Sequence, residues 1–175
     1  ANYAYEGTEA TTQGVLGITG ENAIIDWVLV DLRDDTLKIP IAARAALLQR
    51  DGDIVEVNGS DPLRFEGVNP GSYYVSIRHR NHLGAMTANA VNLIQDTSTN
   101  INFTNVNLSN YSLSGLMGSL HGQKVIGNVK ALWAGNSTID GKLIYQGAEN
   151  DAQAVFFSVL QDPQNTGSFS NYIQS

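Results

Sequence analysis

The chain has 175 residues, 42% hydrophobic and only 15% charged, enough for one domain with an appendage or two small units sharing a core. A net charge of -7, with basic residues scattered apart from Arg78-His79-Arg80, argues against a nucleic-acid partner, whose phosphates need clustered Lys and Arg, and the lack of cysteine excludes disulfides, thiolate metal sites and a cysteine nucleophile. Asn, Ser, Thr, Gln and Gly stand where an intracellular protein carries Lys and Glu, which points to an extracellular setting; no run approaches the roughly 20 apolar residues of a membrane span. Ala1-Asn2-Tyr3 lacks a basic and apolar leader, so a secreted protein would begin here after processing.

Residues 1–22 are Gly/Thr-rich, with Tyr3, Tyr5, Val15, Leu16 and Ile18 predicting one or two short strands. Residues 23–33 give the strongest strand signal, β-branched and aromatic, and the irregular spacing of Asp26, Asp31 and Arg33 predicts a central strand covered on both faces. Pro40 blocks a helix across 36–41, and Asp51-Gly52 between apolar runs predicts a hairpin of 43–50 with 53–57. Strands are also expected at 72–80, 85–93 and 101–108, separated by Gly, Pro and Asn turns, the spacing of an antiparallel sandwich. Beyond 109 the chain turns Gly/Ser-rich; residues 125–133 suit a strand or a short helix, and 152–160 carry apolar residues at 155, 156, 159 and 160, the spacing of one helical face. The expected architecture is an immunoglobulin- or prealbumin-like sandwich over 1–108, with a loop-and-helix extension over 109–175.

Catalytic signatures are missing. There is no Gly-x-Ser-x-Gly elbow and no glycine-rich phosphate loop, and Asp26 and Asp31 are expected on opposite sides of one strand, not across a cleft. His79 and His82 would be a zinc pair only if they shared a face; on a strand running to 80 they would diverge, so structural roles are expected. Trp27, Trp133 and the seven tyrosines suit either core filling or a surface for sugars and partner chains. Asn-x-Ser/Thr sequons stand at Asn58, Asn102, Asn107, Asn110 and Asn136, in keeping with a secreted chain.

The runs 26–33, 47–52 and 71–84 together resemble a module of large secreted surface proteins of Bacteroidota-type bacteria, which carry adhesin- or haemagglutinin-like labels. Residues 131–135, 140–147 and 150–151 resemble the dockerin-like calcium loop that follows that module. The resemblance spans roughly 24–172 and implies a surface location and a scaffolding role more than a chemistry. The loop departs from the family's Asp-x-Asn-x-Asp-Gly, reading Asn136-Ser137-Thr138-Ile139-Asp140-Gly141, and neither a second calcium repeat nor a sorting domain follows. Calcium takes six to eight hard oxygens around a sharply turned loop; Asn136, Thr138, Asp140, the Lys142 carbonyl, and Asn150 or Asp151 would supply them in a structural site.

Three roles fit these readings. The leading one is a non-catalytic extracellular structural module, self-associating as a filament subunit, whose N-terminal arm (Tyr3, Tyr5, Val15, Leu16, Ile18) pairs with a neighbouring copy's sheet edge or else completes its own sandwich. An adhesin domain for glycan or host protein, and an accessory domain of a secreted enzyme, are the alternatives.

Overall fold

The computed structural model describes residues 5, 7–34, 39–110, 123–138, 142–144, 146–148, 150–161 and 165. Among these the chain is mostly antiparallel β with a small C-terminal helix. Strand β1 (Ile24–Arg33) is the hydrogen-bonded centre, flanked by β2 (Pro40–Gln49) and β4 (Gly71–Arg78). The β-branched run that marks β1 in the sequence therefore sits where packing demands it most. Strand β3 (Ile54–Val55) folds back on β2 through the Asp51-Gly52 turn, with Gly52 at φ +100°, a left-handed conformation glycine adopts without strain. Pro40 opens β2, the position in a strand where its missing N–H does least harm.

On the far side of β4, β5 (Ala85–Met86) and β6 (Val91–Leu93) run along one neighbour in turn, Met86 opposite Ser76 and Val91 opposite Tyr73. The register slips between them, and Thr87 spans the slip: its amide donates to the Val75 carbonyl at 2.9 Å while its hydroxyl accepts from the Val75 amide at 3.2 Å. The single strand expected over 85–93 is thus two short ones joined by a bulge.

The core lies on one face of this sheet. Val28, Val30 and Leu32 of β1, Ala46 of β2 and Val75 and Ile77 of β4 meet there, covered by Leu63, Phe65 and Val68 of one loop, Ile101 and Phe103 of another, and Leu132. Burying such side chains contributes about 1.5–3 kcal/mol each, and Leu47 and Ala43 are buried on the other face. The opposite face holds a carboxylate: Asp31 is fully buried, 2.6 Å from Arg33 and 3.0 Å from Arg78.

Two expectations are corrected, and the choice left open at 125–133 falls to strand. Residues 13–16 form a helical turn, α1 (Gln13–Leu16), not a strand, because the Thr12 hydroxyl accepts the Val15 amide at 3.3 Å and caps it. The strand expected at 101–108 is a run of turns: Asn102 accepts from the Thr104 amide at 2.9 Å and Asn105 from the Asn107 amide at 2.9 Å, so asparagine side chains take the amides that a ladder would use. Residues 123–132 are a hairpin, β7 (Gln123–Ile126) and β8 (Val129–Leu132), turning at Gly127 with φ +60°. The helix at 152–160 is present as α2 (Asp151–Gln161), although Val155, Phe156 and Phe157 lie exposed. No helix among the described residues is long and apolar enough to cross a membrane.

Candidate functional site

Two of the features singled out in the sequence become well-defined places in the fold: the loop that ends on α2, and the N-terminal arm against β2. A third, the histidine pair, is brought together only by the structure.

The loop is organised around Asp151. Its carboxylate accepts from the Ile144 amide at 3.0 Å, the Thr138 amide at 3.2 Å and the Thr138 hydroxyl at 3.1 Å, while Ser137 donates to the Asp151 carbonyl at 2.6 Å. The Ile144 amide first, then the Thr138 and Ser137 donors, hold this carboxyl below the ordinary aspartate range; burial opposes them. The side chain is covered by its own loop and lies shallow, so the hydrogen bonds lead. Asn150 is the N-cap of α2, accepting the Gln153 amide at 2.7 Å. Lys142 is exposed, and Asp140 lies outside the described residues.

One atom in this loop is anomalous. Asn136 is buried, 5% exposed, and its Oδ1 has no hydrogen-bond partner. A buried carbonyl oxygen without a partner is costly, about 1–3 kcal/mol, and is rare in folded proteins. Asn136 Oδ1, the Thr138 hydroxyl and the Asp151 carboxylate are all hard oxygens, the chemistry that calcium selects, and the orphaned oxygen is what a cation would satisfy. Among the described residues no group of three or more His, Cys, Asp or Glu converges, so a cation here would depend on neutral oxygens besides Asp151.

The arm approaches the edge of β2 beyond the short reach of β3. There the Ala45 amide is taken by side chains, Tyr5 Oη at 3.0 Å and Glu9 Oε1 at 3.1 Å, and Tyr5 in turn donates to Glu9. Arg44 ties the arrangement together, reaching Glu9 at 3.1 Å, Glu56 at 3.2 Å and the Arg64 carbonyl at 2.9 Å. Burial and the Glu9 carboxylate push the Tyr5 hydroxyl up to about 12; burial would raise Glu9 as well, but the Tyr5 hydroxyl, the Ala45 amide and Arg44 outweigh it and lower that carboxyl. Further along, Thr11 donates to the Val57 carbonyl at 2.6 Å, and Val15 and Ile18 lie over Gly59 while Leu16 is exposed. Tyr3 lies outside the described residues.

His79 and His82 do not diverge. Strand β4 stops at Arg78, and the turn that follows brings the two Nδ1 atoms to 2.8 Å, with His79 Nε2 2.9 Å from Asp26. The sequence signal was present in Asn81-His82-Leu83-Gly84, a turn that can begin two residues earlier than the strand pattern suggests. His82 faces a groove of about 530 Å³ bounded by Asn81, Ala134, Leu143, Ile144 and Val155.

Comparison with family models, with curated proteins and with solved structures finds no match. The geometry of these places is therefore the basis for a functional reading.

Proposed function

We propose that this chain is a non-catalytic extracellular module, an immunoglobulin- or prealbumin-like sandwich at a cell surface, that assembles with copies of itself through its N-terminal arm. The observation that carries this is the edge of β2. At Ala45 the sheet is finished by the side chains of Tyr5 and Glu9, not by a hydrogen-bonded strand. An edge closed this way has its amide satisfied in the single chain, yet offers a neighbour's extended segment a better partner, since main-chain pairing along an edge gives both affinity and register. Head-to-tail repetition of such a contact builds an open filament.

The second part of the reading is a structural calcium ion at Asn136, Thr138 and Asp151, with Asp140 and the Lys142 carbonyl completing the set, tying the loop to the start of α2. The Asn-, Ser- and Thr-rich, weakly charged composition suits such a chain outside the cell, where, without cysteine, it would rely on its core, a bound ion or assembly in place of disulfides.

Light scattering on the full chain and on a variant lacking residues 1–20 tests the assembly. The expected result is a concentration-dependent polymer for the full chain and a folded monomer for the deletion. A full chain that stays monomeric at millimolar concentration, with a deletion that unfolds, overturns the assembly and returns the arm to its own sandwich.

A further inference from the structure

We infer that His79 and His82 form a proton-sharing clasp that docks segment 133–135 onto the main sheet and lets it go when the pair takes up a second proton. The inference is independent of the assembly reading.

The geometry requires one hydrogen, and only one, between the rings. The two Nδ1 atoms are 2.8 Å apart, too close for two N–H groups. Asp26 Oδ2 stands 2.9 Å from His79 Nε2 and also accepts from Arg80 at 2.9 Å. An ionised carboxylate only accepts, so His79 carries its hydrogen on Nε2. Its Nδ1 is then an acceptor, as the Asn81 amide pointing at it from 3.4 Å also implies, and the shared hydrogen belongs to His82 Nδ1. The order is His82 to His79 to Asp26. These tautomers follow from the network, not from observed hydrogens.

A first proton is tolerated. It goes to the remaining nitrogen of His82, Nε2, and leaves every hydrogen bond in the chain intact. A second proton has only His79 Nδ1 to occupy, which places two N–H groups nose to nose and two positive rings with centroids 4.7 Å apart. Interacting sites of this kind titrate in two steps that belong to the pair. Among the described residues, the charges near them include Asp26 on β1, Arg78 at the end of β4, Arg80 in the turn, Asp151 lining the same groove from α2, and Lys124 of β7 stacked over Trp133. Burial first, and then the charge of His79, lower His82 from its ordinary value, with Asp26 opposing. Asp26 itself is held low: burial would raise it, but the Trp27 amide, His79 and Arg80 prevail, so the acceptor at the end of the chain persists in mild acid.

The turn that the pair holds is also the dock. Leu83 donates to the Trp133 carbonyl at 2.8 Å, Gly135 donates to the Asn81 carbonyl at 2.9 Å, and His82 and Ala134 form an isolated bridge. Two residues later the chain enters the loop around Asp151. Opening the turn therefore detaches the route by which that loop is fixed to the sheet. The sign follows from proton binding: the docked form takes up fewer protons than the released form, whose free imidazoles have their ordinary value near 6.5. Docking is full above that value and is lost as pH falls below it.

Hydrogen exchange of the full chain, corrected for intrinsic rates and followed from about pH 7.5 to 4.5, reads this directly. Protection of the Leu83 and Gly135 amides is expected to be full above about pH 6.5 and to fall as pH drops below it, about tenfold per pH unit for each proton that the released form binds beyond the docked form. The amides of Val28 and Val30 should keep theirs. In His82→Phe the two docking amides should lose this pH dependence. Nitrogen-15 spectra of the unaltered protein near pH 7.5 give a test that no variant's misfolding can spoil: His79 should be the Nε2–H tautomer and His82 the Nδ1–H tautomer. The opposite tautomer at His82, or docking amides whose protection does not respond to pH, overturns the clasp.

Discussion

Arg44 holds Glu9 at 3.1 Å across 35 residues of chain, and in doing so fixes the N-terminal arm to the edge of the main sheet. With Glu56 on its other side, the guanidinium joins the arm to the β2–β3 hairpin. Because Arg44 is partly exposed, the ion pair alone is a modest contributor, about 0.2–1 kcal/mol. More comes from the acceptors that Glu9 offers to Tyr5 and to the Ala45 amide.

Glu9→Ala should therefore lower stability by about 1–2 kcal/mol, read as a shift in the urea midpoint, since two donors lose an acceptor. The same contact predicts alkaline behaviour. The Tyr5 hydroxyl is raised to about 12 in the folded chain, so its contribution is full below the ordinary tyrosine value near 10 and is lost as pH rises toward 12. Ultraviolet titration should show a late-ionising tyrosine that is missing in Tyr5→Phe. A Tyr5→Phe protein with an unchanged titration curve contradicts the Tyr5–Glu9 hydrogen bond.

Gly59 is the place to loosen the arm without cutting it. Its φ is +80°, and an added Cβ would stand 2.8 Å from Val15 Cγ1 and 3.2 Å from Ile18 Cδ1. Gly59→Ala adds about 1–2 kcal/mol of backbone strain and pushes α1 away from the hairpin. Proteolysis should then cut within residues 7–22 faster than in the parent, while the core strands resist. If the arm remains protected, Val15 and Ile18 are not what holds it.

Asp31 tests the other face of the sheet. Its carboxylate is buried between Arg33 and Arg78, and the Arg78 stem passes over Gly84, where a Cβ would lie 2.9 Å from Arg78 Cγ and 3.1 Å from the Ile77 carbonyl. Asp31→Ala should destabilise by about 2–4 kcal/mol, toward the lower part of the range for broken buried pairs because both arginines retain contact with water. Gly84→Ala should cost about 1–3 kcal/mol by overpacking. Denaturant unfolding measures both, and a neutral Gly84→Ala shows that Arg78 can move aside freely.

Calcium should raise the melting temperature, because a ligand that binds only the folded form adds about 2.7 kcal/mol at a hundredfold excess over Kd. Asn136→Ala should remove that increment while relieving the orphaned oxygen, so the metal-free protein melts no lower than the parent. Asp151→Ala should remove the increment and also melt lower without metal, since the Ile144 and Thr138 amides lose their acceptor. An identical calcium response in the Asn136 variant would falsify this ligand set.

The sequence by itself determined the main strands and their turns. The β-branched run of β1, the Asp51-Gly52 hairpin, the long β4 and the helix α2 are written in local signals: period, turn chemistry and capping. The tertiary structure decided what depends on contacts between distant residues. Ala42 to Arg50 has helical propensity, yet β2 exists because β1 pairs with it. Residues 101–108 have a strand's composition, but their asparagines satisfy the backbone locally, and β8 meets them only in an isolated bridge at Asn105 among the described residues. The closing of the β2 edge by Tyr5 and Glu9 needs side chains 36 or more residues away from Ala45, which no window of sequence displays. His79 and His82 show the same dependence most sharply. Alternation along an extended strand separates them; a chain reversal after Arg78 puts their nitrogens 2.8 Å apart, and Asp26, 53 residues from His79, orients the pair. Backbone preference acts over a few residues, whereas a shared proton depends on tenths of an ångström that only the packed chain fixes.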